Sequence, residues 1–295
     1  MEWVFVNKNR PKEMNELRRA YHYSPHDLKE ILPPLQWPKV VQREGYVFLI
    51  LLFPLFDRTT RDIRASEVDF FISPDRLVTV NVDGLAPLSR LFRDCEQSGS
   101  RSACINGGVG LLLRSLLTEL TLSVFPMLVH ISNDLDDIEK RLFGVDQKNL
   151  IRELLRVKTN IAAIRKAVQS HKAVIEHLLR IAPSYFPHET IREWNDELIS
   201  RMKDIWQTLE IEKETADALH ETHQSLIDNR SNEIIKTLTI FSVIVFPLTL
   251  MAAIFGMNVP DMPIVSSKNG FWSIISLMLM GTGGMLVYFK WRKWL

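Results

Sequence analysis

Two uncharged apolar segments near the C-terminus constrain the fold of this chain more than any other feature. The first runs from Leu238 to Phe255 and the second from Phe271 to Phe289, and neither contains Asp, Glu, Lys or Arg. At about 1.5 Å per residue, each is long enough to cross a hydrocarbon core of about 30 Å as a helix. Core helices of soluble proteins rarely remain uncharged on every side over such a length. The sequence therefore predicts two membrane-spanning helices.

The rest of the chain is polar enough to form a water-soluble body. The 295 residues carry a formal net charge of +1 and have a mean hydropathy of −0.01. We therefore expect a large cytosolic body with a small membrane anchor. The charge balance differs from the basic footprint of nucleic-acid-binding proteins, and no P-loop, Rossmann fingerprint, nucleophile elbow or catalytic triad is recognisable. We expect no nucleic acid or nucleotide partner and no enzymatic activity.

Basic residues flanking the two segments predict their orientation in the lipid bilayer. Arg230 and Lys236 precede the first segment, and the tail 290–295 is basic, whereas the intervening loop has only Lys268, offset by Asp261. Positive residues favour the cytoplasmic side of a membrane. The N-terminus also lacks the apolar region of a signal peptide. We expect a multi-pass protein of the cytoplasmic (inner) membrane with both termini in the cytoplasm.

The sequence before the two apolar segments predicts an α/β domain followed by helices. The expected fold class is therefore an α+β membrane protein. Strand-like and helical patterns alternate in the first hundred residues, and helical periodicity follows a polar break at 96–108. Two long helices, 111–142 and 146–179, are expected to form an antiparallel hairpin. The predicted divisions are a cytosolic α/β domain at 1–108, a helical hairpin at 109–187, a stalk helix at 188–237, a pore-lining transmembrane helix at 238–256, an outside loop at 257–270, a second transmembrane helix at 271–289 and a basic cytosolic tail at 290–295.

One continuous helix is predicted to connect the body to the membrane. No proline or glycine occurs from His188 until Pro247, and apolar residues recur at a spacing of three or four. A helix from His188 to Gly256 would be about 100 Å long. A helix of that length needs lateral partners, and self-association into a ring would supply them.

One face of this helix has the composition of a water-lined path. It carries Asn232, Ile235, Leu238, Ser242, Phe246, Thr249, Ala253 and Gly256. Residues at this spacing align along one side of a helix. The serine and threonine hydroxyls could alternatively bond back to their own helix and face lipid. No carboxylate or histidine lies inside either span, which argues against a proton-coupled pump and favours a channel for hydrated cations.

Hydrated Mg²⁺ can be held without losing its inner waters. Mg²⁺ dehydrates reluctantly, and a ring of carboxamide and backbone oxygens can bind it through those waters. Asn258 supplies a carboxamide oxygen, and Gly256 permits a close backbone turn. One asparagine per chain makes a weak site, so several chains around an axis are required.

The sequence Gly256-Met257-Asn258, after one membrane helix and shortly before a second, resembles the CorA family of divalent-cation transporters. The segments that share this likeness are 35–46 (LQWPKVVQREGY), 68–80 (VDFFISPDRLVTV), 232–236 (NEIIK), 246–249 (FPLT) and 288–295 (YFKWRKWL). The resemblance implies a homopentamer that conducts Mg²⁺, and also Co²⁺ or Ni²⁺, driven by the membrane potential. It implies no cofactor other than the divalent cation, which is substrate and also regulator.

The resemblance also assigns roles to residues. It implies a selectivity ring of Gly256, Met257 and Asn258. It implies that the path inward is lined by Thr249, Phe246, Leu238, Ile235 and Asn232, with the apolar members as a hydrophobic gate. It implies regulatory Mg²⁺ ligands among the cytosolic acids Asp196, Glu197, Asp204 and Glu221.

Two alternatives remain open at this point. Many magnesium-transporting members have Met-Pro-Glu-Leu in the outer loop, whereas here Met262-Pro263 is followed by Ile264-Val265, so cation recruitment should be weaker. The preferred ion could therefore be zinc or another transition metal. The other alternative is a membrane-anchored scaffold or metal sensor, in which the small residues at 252, 256, 281 and 284 serve only for close helix packing.

Overall fold

The structure is a computed structural model, and it describes residues 1–32, 35–97, 108–144, 147–182, 188–257 and 269–294. The chain divides into two compact units. The first comprises Met1–His220 and the second Glu221–Leu295. The first unit is therefore larger than the α/β domain predicted at 1–108, because it also includes the helices that follow and the beginning of the long helix.

A five-stranded sheet forms the centre of the first unit. Its strands are β1 (Glu2–Asn7), β2 (Lys39–Gln42), β3 (Val47–Phe56), β4 (Ile63–Ile72) and β5 (Arg76–Asn81), in the order β1-β5-β4-β3-β2. β1 pairs with β5 in parallel, and the other neighbours are antiparallel. The first eight residues of β3 are all buried, so both faces of the sheet are covered. β4 and β5 form an antiparallel hairpin around Asp75.

Helices cover the two faces of the sheet with separate apolar cores. One face packs against α1 (Pro11–Ala20) through residues such as Met14, Leu17 and Phe71. The other face packs against a larger set of helices, which are α3 (Ala86–Gln97), α4 (Gly108–Leu122) and α7 (His171–Ile181). A short helix, α2 (Pro25–Glu30), begins after Ser24, whose hydroxyl accepts a hydrogen bond from the backbone N–H of His26.

Both helices predicted for the hairpin are interrupted, so that expectation was wrong in detail. The stretch predicted at 111–142 consists of α4 and α5 (Phe125–Arg141), and Pro126 lies in the first turn of α5, where its missing N–H costs nothing. The stretch predicted at 146–179 consists of α6 (Gln147–Val168) and α7. α5 packs against α6, and α6 also packs against β3 and β4. The hairpin therefore belongs to the same packed body as the sheet.

The predicted continuous helix is confirmed. α8 spans His188–Phe255 without interruption, a length of 68 residues, and contains Pro247 in its interior. It contributes Trp194, Leu198 and Met202 to the larger core of the first unit. The final helix, α9, spans Gly270–Trp291.

A turn at the end of α9 folds the chain back onto the helix. Lys293 has a φ of 56°, and the backbone N–H of Trp294 donates to the carbonyl of Phe289 at 2.9 Å. The Trp294 and Phe289 rings stack with centroids 5.9 Å apart. This hydrogen bond and the contact between the Trp294 and Phe289 rings are those of a Schellman motif. Lys236 of α8 donates from its amine to the Lys293 carbonyl at 3.3 Å, which links the two helices of the second unit.

Three helical stretches in the described residues are long and apolar enough to cross a membrane, and their burial differs. The first is Gly108–Arg141, whose most apolar 18 residues are 44% buried, because α4 packs in the core of the first unit. In the second, Asp196–Phe255, the most apolar 18 residues are 0% buried, and in the third, Gly270–Trp291, they are 6% buried. These two uncovered stretches correspond to the two segments that the sequence predicts to span a membrane.

Candidate ion pathway

We call the predicted water-lined face of α8 the α8 stripe, and it consists of Asn232, Ile235, Leu238, Ser242, Phe246, Thr249, Ala253 and Gly256. The α8 stripe is uncovered within the chain. Its apolar members Ile235, Leu238 and Phe246 are exposed by 57%, 63% and 71%. Asn232 and Thr249 are also exposed, and Ser242 is half-buried. The stripe therefore makes little contact with the rest of its own chain. From Asn232 to Gly256 it extends about 36 Å at 1.5 Å per residue, which is sufficient to cross the hydrocarbon core.

A neighbouring face of α8, distinct from the stripe, is the one directed towards α9. Thr239 and Val243 line a groove of about 490 Å³ together with residues of α9 and its terminal turn. The groove includes Gly281 and Gly284, and a Cβ atom built on either glycine would meet nothing within 4 Å. These glycines therefore make no close helix contact within the described chain. One face of α8 therefore borders the groove with α9, and another face, the α8 stripe, is uncovered.

Polar backbone and hydroxyl atoms occur along α8 where the sequence contains no charge. The Thr249 hydroxyl donates to the carbonyl of Val245 at 2.9 Å, so the back-bonding considered from the sequence is present. Its hydrogen is thereby engaged, but the oxygen retains lone pairs that can accept from water. Pro247 has no N–H, so the Val243 carbonyl has no helical donor one turn later. Acceptors of this kind suit the outward-pointing hydrogens of a hydrated cation.

The C-terminal end of α8 has a geometry that only glycine fits. α8 ends at Phe255, and the N–H of Gly256 donates to the carbonyl of Ala252 at 2.9 Å. A Cβ atom on Gly256 would lie 2.9 Å from that same oxygen. The side chain of Met257 is 59% exposed. Asn258 and the remainder of the outer loop to Lys268 lie outside the described residues.

The helix end is also electrostatically suited to a cation. The C-terminus of an α-helix carries a partial negative charge of roughly half an elementary charge, since its last carbonyls point outwards. In α8 this end coincides with Gly256 and Met257, the first two residues of the predicted selectivity ring. The backbone therefore attracts cations here without any acidic side chain.

The four acids predicted as regulatory ligands are not gathered into one cluster. Glu197 accepts from Arg114 at 2.7 Å and from Arg201 at 3.0 Å. Its hydrogen bond with Arg114 is the main cause that lowers the pKa of Glu197 below its usual value. The other three are exposed on α8: Asp196, Asp204 and Glu221.

A different group of metal-ligating side chains occurs on α2. Among the described residues, His26, Asp27 and Glu30 are the one set of three whose ligand atoms lie within 4.8 Å of one another. Asp27 already accepts from Arg43 at 2.6 Å and from the Tyr46 hydroxyl at 2.6 Å. Its oxygens are therefore used for holding α2 to the sheet.

Comparisons with known proteins identify relatives over nearly the whole chain. Residues 1–291 match the family described as "CorA-like Mg2+ transporter protein". The chain is 27% identical over 297 residues to the cobalt/magnesium transport protein CorA of Thermotoga maritima, covering 99% of this chain and 83% of that protein. It is 23% identical over 281 residues to the cobalt/magnesium transport protein CorA of Methanocaldococcus jannaschii, covering 94% and 86%.

A solved structure has the same fold. The complete structure of the CorA magnesium transporter from Methanocaldococcus jannaschii superposes with a TM-score of 0.87 at 21% identity, over 99% of this chain and 91% of that one. The predicted fold class, an N-terminal α/β domain followed by a long helix and apolar helices, is confirmed.

Proposed function

The chain belongs to the CorA family of divalent-cation transporters, and on that premise we propose that it is a homopentameric channel for Mg²⁺ in the cytoplasmic membrane. Co²⁺ and Ni²⁺ are further cargo in this proposal, and the membrane potential drives their entry. The family is one of transporters rather than enzymes. The observation that supports the proposal most strongly is the uncovered α8 stripe, which ends at the glycine-dependent turn of Gly256.

Assembly of several chains around an axis would allow the α8 stripes to enclose a water-filled path. A single α8 cannot enclose water, whereas several copies with their stripes directed inwards would surround a path and cover the exposed apolar side chains. Each helix end would add its partial charge, so a pentamer would present roughly −2.5 elementary charges around the outer mouth. In this arrangement the Asn258 carboxamides form a ring together with Gly256 and Met257.

Only uncharged side chains and backbone groups would select Mg²⁺ and gate its path. The ring of Asn258 oxygens would hold Mg²⁺ through its waters, and the Thr249 oxygens would receive the hydrated ion further inward. Phe246, Leu238 and Ile235 would form apolar constrictions that close when they lose water. An inside-negative potential contributes about 2.3 kcal/mol per elementary charge for each 100 mV, and a divalent cation gains twice that amount.

Replacement of the proposed ring residue tests this function. Asn258→Ala should abolish Mg²⁺ entry into proteoliposomes, while the protein still assembles as wild type does in size-exclusion chromatography. Asn269→Ala is the matched control, because Asn269 precedes α9 at the same side of the membrane and its side chain makes no capping hydrogen bond. Wild-type flux in Asn258→Ala would contradict the assignment of the ring.

A further inference from the structure

A cavity of about 740 Å³ lies in the first unit, and none of its lining residues belongs to the α8 stripe. Its walls come from the end of β3 and the loop to β4, the start of α3, the α4–α5 junction and α6. Four arginines line it: Arg58, Arg61, Arg90 and Arg156. Two carboxylates, Glu119 and Asp134, line it as well, so the cavity has an excess of two positive charges.

The four arginine side chains have no protein partner among the described residues. Two neighbouring arginines that lie outside this cavity are paired: Arg64 donates to Asp83 at 2.7 Å, and Arg141 pairs with Glu153. Hydrogen bonds and ion pairs of the described residues involve neither Arg58 nor Arg61 nor Arg90 nor Arg156 through its guanidinium group. Arg58, Arg61 and Arg90 are exposed and Arg156 is half-buried, so water solvates these guanidinium groups. Four guanidinium groups around one concave site can bind a polyvalent anion.

Hydrogen bonds to the backbone fix the conformation of the loop that presents Arg58 and Arg61. Arg61 has a φ of 61°, a left-handed conformation that is unfavourable for a residue with a long side chain. Its N–H donates to the carbonyl of Asp57 at 2.8 Å, and its carbonyl accepts from the side chain of Asn160 at 3.0 Å. The Asn160 oxygen accepts in turn from the N–H of Ile63 at 2.9 Å. A buried amide therefore holds a strained arginine in place at the rim of the cavity.

We propose that this cavity binds a nucleoside polyphosphate. Guanidinium groups form bidentate bonds with phosphate oxygens, and the apolar wall, which includes Phe56, Pro87 and Met127, can pack against a base. The carboxylates can accept from amino or ribose hydroxyl groups. The volume lies within the range of small-molecule sites, about 300–1,000 Å³. The sequence predicted no nucleotide partner because no P-loop or Rossmann motif is present, but a site built from dispersed arginines has no such motif.

Equilibrium dialysis with ATP tests the proposal on the full-length protein, purified in detergent and freed of divalent cations. We expect saturable binding of one ATP per chain that weakens as NaCl is raised, because salt screens the charge attraction. Arg156→Gln should weaken binding about tenfold or more, as expected for the loss of a charged hydrogen bond. Arg61→Gly should have a similar effect, and it relieves the backbone strain, so the variant should fold.

Arg152→Gln is the matched control. Arg152 is exposed on α6 one turn before Arg156 and does not line the cavity, so its removal should leave ATP affinity unchanged. Absence of saturable ATP binding up to about 1 mM would overturn the proposal. Equal losses of ATP affinity in Arg152→Gln and Arg156→Gln would overturn the assignment of the ATP site to this cavity. Pyrophosphate that binds as tightly as ATP would overturn the nucleoside assignment, because the apolar wall would then contribute nothing.

Discussion

Gly256 donates its backbone N–H to the Ala252 carbonyl at 2.9 Å, and a Cβ atom at position 256 would lie 2.9 Å from that same oxygen. The helix-ending turn is thus closed so tightly that it leaves no room for a side chain. This turn also places the negative end of the α8 dipole beside the first residues of the proposed selectivity ring. The position of the ring therefore depends on a backbone contact and not only on its own side chains.

Gly256→Ala should reduce Mg²⁺ flux by about tenfold or more. The added methyl group would displace the turn, and overpacking of this kind costs about 1–3 kcal/mol, where 1.4 kcal/mol corresponds to a factor of ten. The measurement is the initial rate of Mg²⁺ entry per mole of reconstituted protein. Gly283→Ala is the control, since a Cβ there meets nothing within 4 Å. A wild-type rate for Gly256→Ala would show that the tight turn is not needed for conduction.

Removal of the Thr249 hydroxyl should lower the flux about fivefold. One acceptor for the waters of the ion would be lost, and a hydrogen bond contributes about 1 kcal/mol. Thr239→Val is a closely matched control, because the Thr239 hydroxyl also donates to the carbonyl four residues earlier, at 2.8 Å, but faces the groove with α9. We expect near-normal rates for that variant. Equal rates for Thr249→Val and Thr239→Val would remove Thr249 from the ion path.

The stability of the first unit should fall in acid because of His171. The Nε2 atom of this buried histidine lies 2.7 Å from the Leu52 carbonyl, to which it must donate, and burial lowers the pKa of His171 to about 4. Between that value and the unfolded pKa of about 6.5, the unfolded chain binds a proton and the folded chain does not. Stability is therefore fully present above about pH 6.5 and decreases by about 3 kcal/mol as pH falls to about 4.

His171→Gln should flatten that pH dependence. Glutamine can still donate to the Leu52 carbonyl but does not titrate, so the loss of thermal stability between pH 7 and pH 4.5 should be smaller than in wild type. The midpoint of thermal unfolding, followed by tryptophan fluorescence of the detergent-purified protein, measures this. His177→Gln is the control, because His177 is exposed on the same helix. Identical pH profiles for wild type and His171→Gln would contradict the role of His171.

The two uncovered apolar helical segments and the exposure of one face of α8 could be predicted because both depend on local sequence properties. Absence of charge and a spacing of three or four do not require knowledge of distant contacts. The same reasoning failed at the α4–α5 junction. Leu120, Val124 and Leu128 are all buried and continue the helical spacing across the break, so the periodicity gave no sign of it. Pro126 was the signal, since proline is favoured at the start of a helix.

Contacts between residues far apart in sequence could not be predicted. Asn160 holds the backbone of Arg61 from 99 residues away, and Lys236 bonds the Lys293 carbonyl from 57 residues away. Neither pairing follows from composition or spacing, because each depends on how the helices pack. Lys236 and the basic tail suggested an orientation in the membrane, but the bond by which Lys236 joins α8 to the turn after α9 became visible only in the structure.

Entry of Mg²⁺ into proteoliposomes tests the central claim most directly. The wild-type protein would be reconstituted with an Mg²⁺-sensitive dye inside, and Mg²⁺, Co²⁺ and Zn²⁺ would be supplied separately, with and without an inside-negative potential. We predict Mg²⁺ entry that becomes faster when the potential is applied, because an inside-negative potential favours the inward movement of a divalent cation. Zn²⁺ entry without Mg²⁺ entry, or no divalent flux at all, would contradict the account.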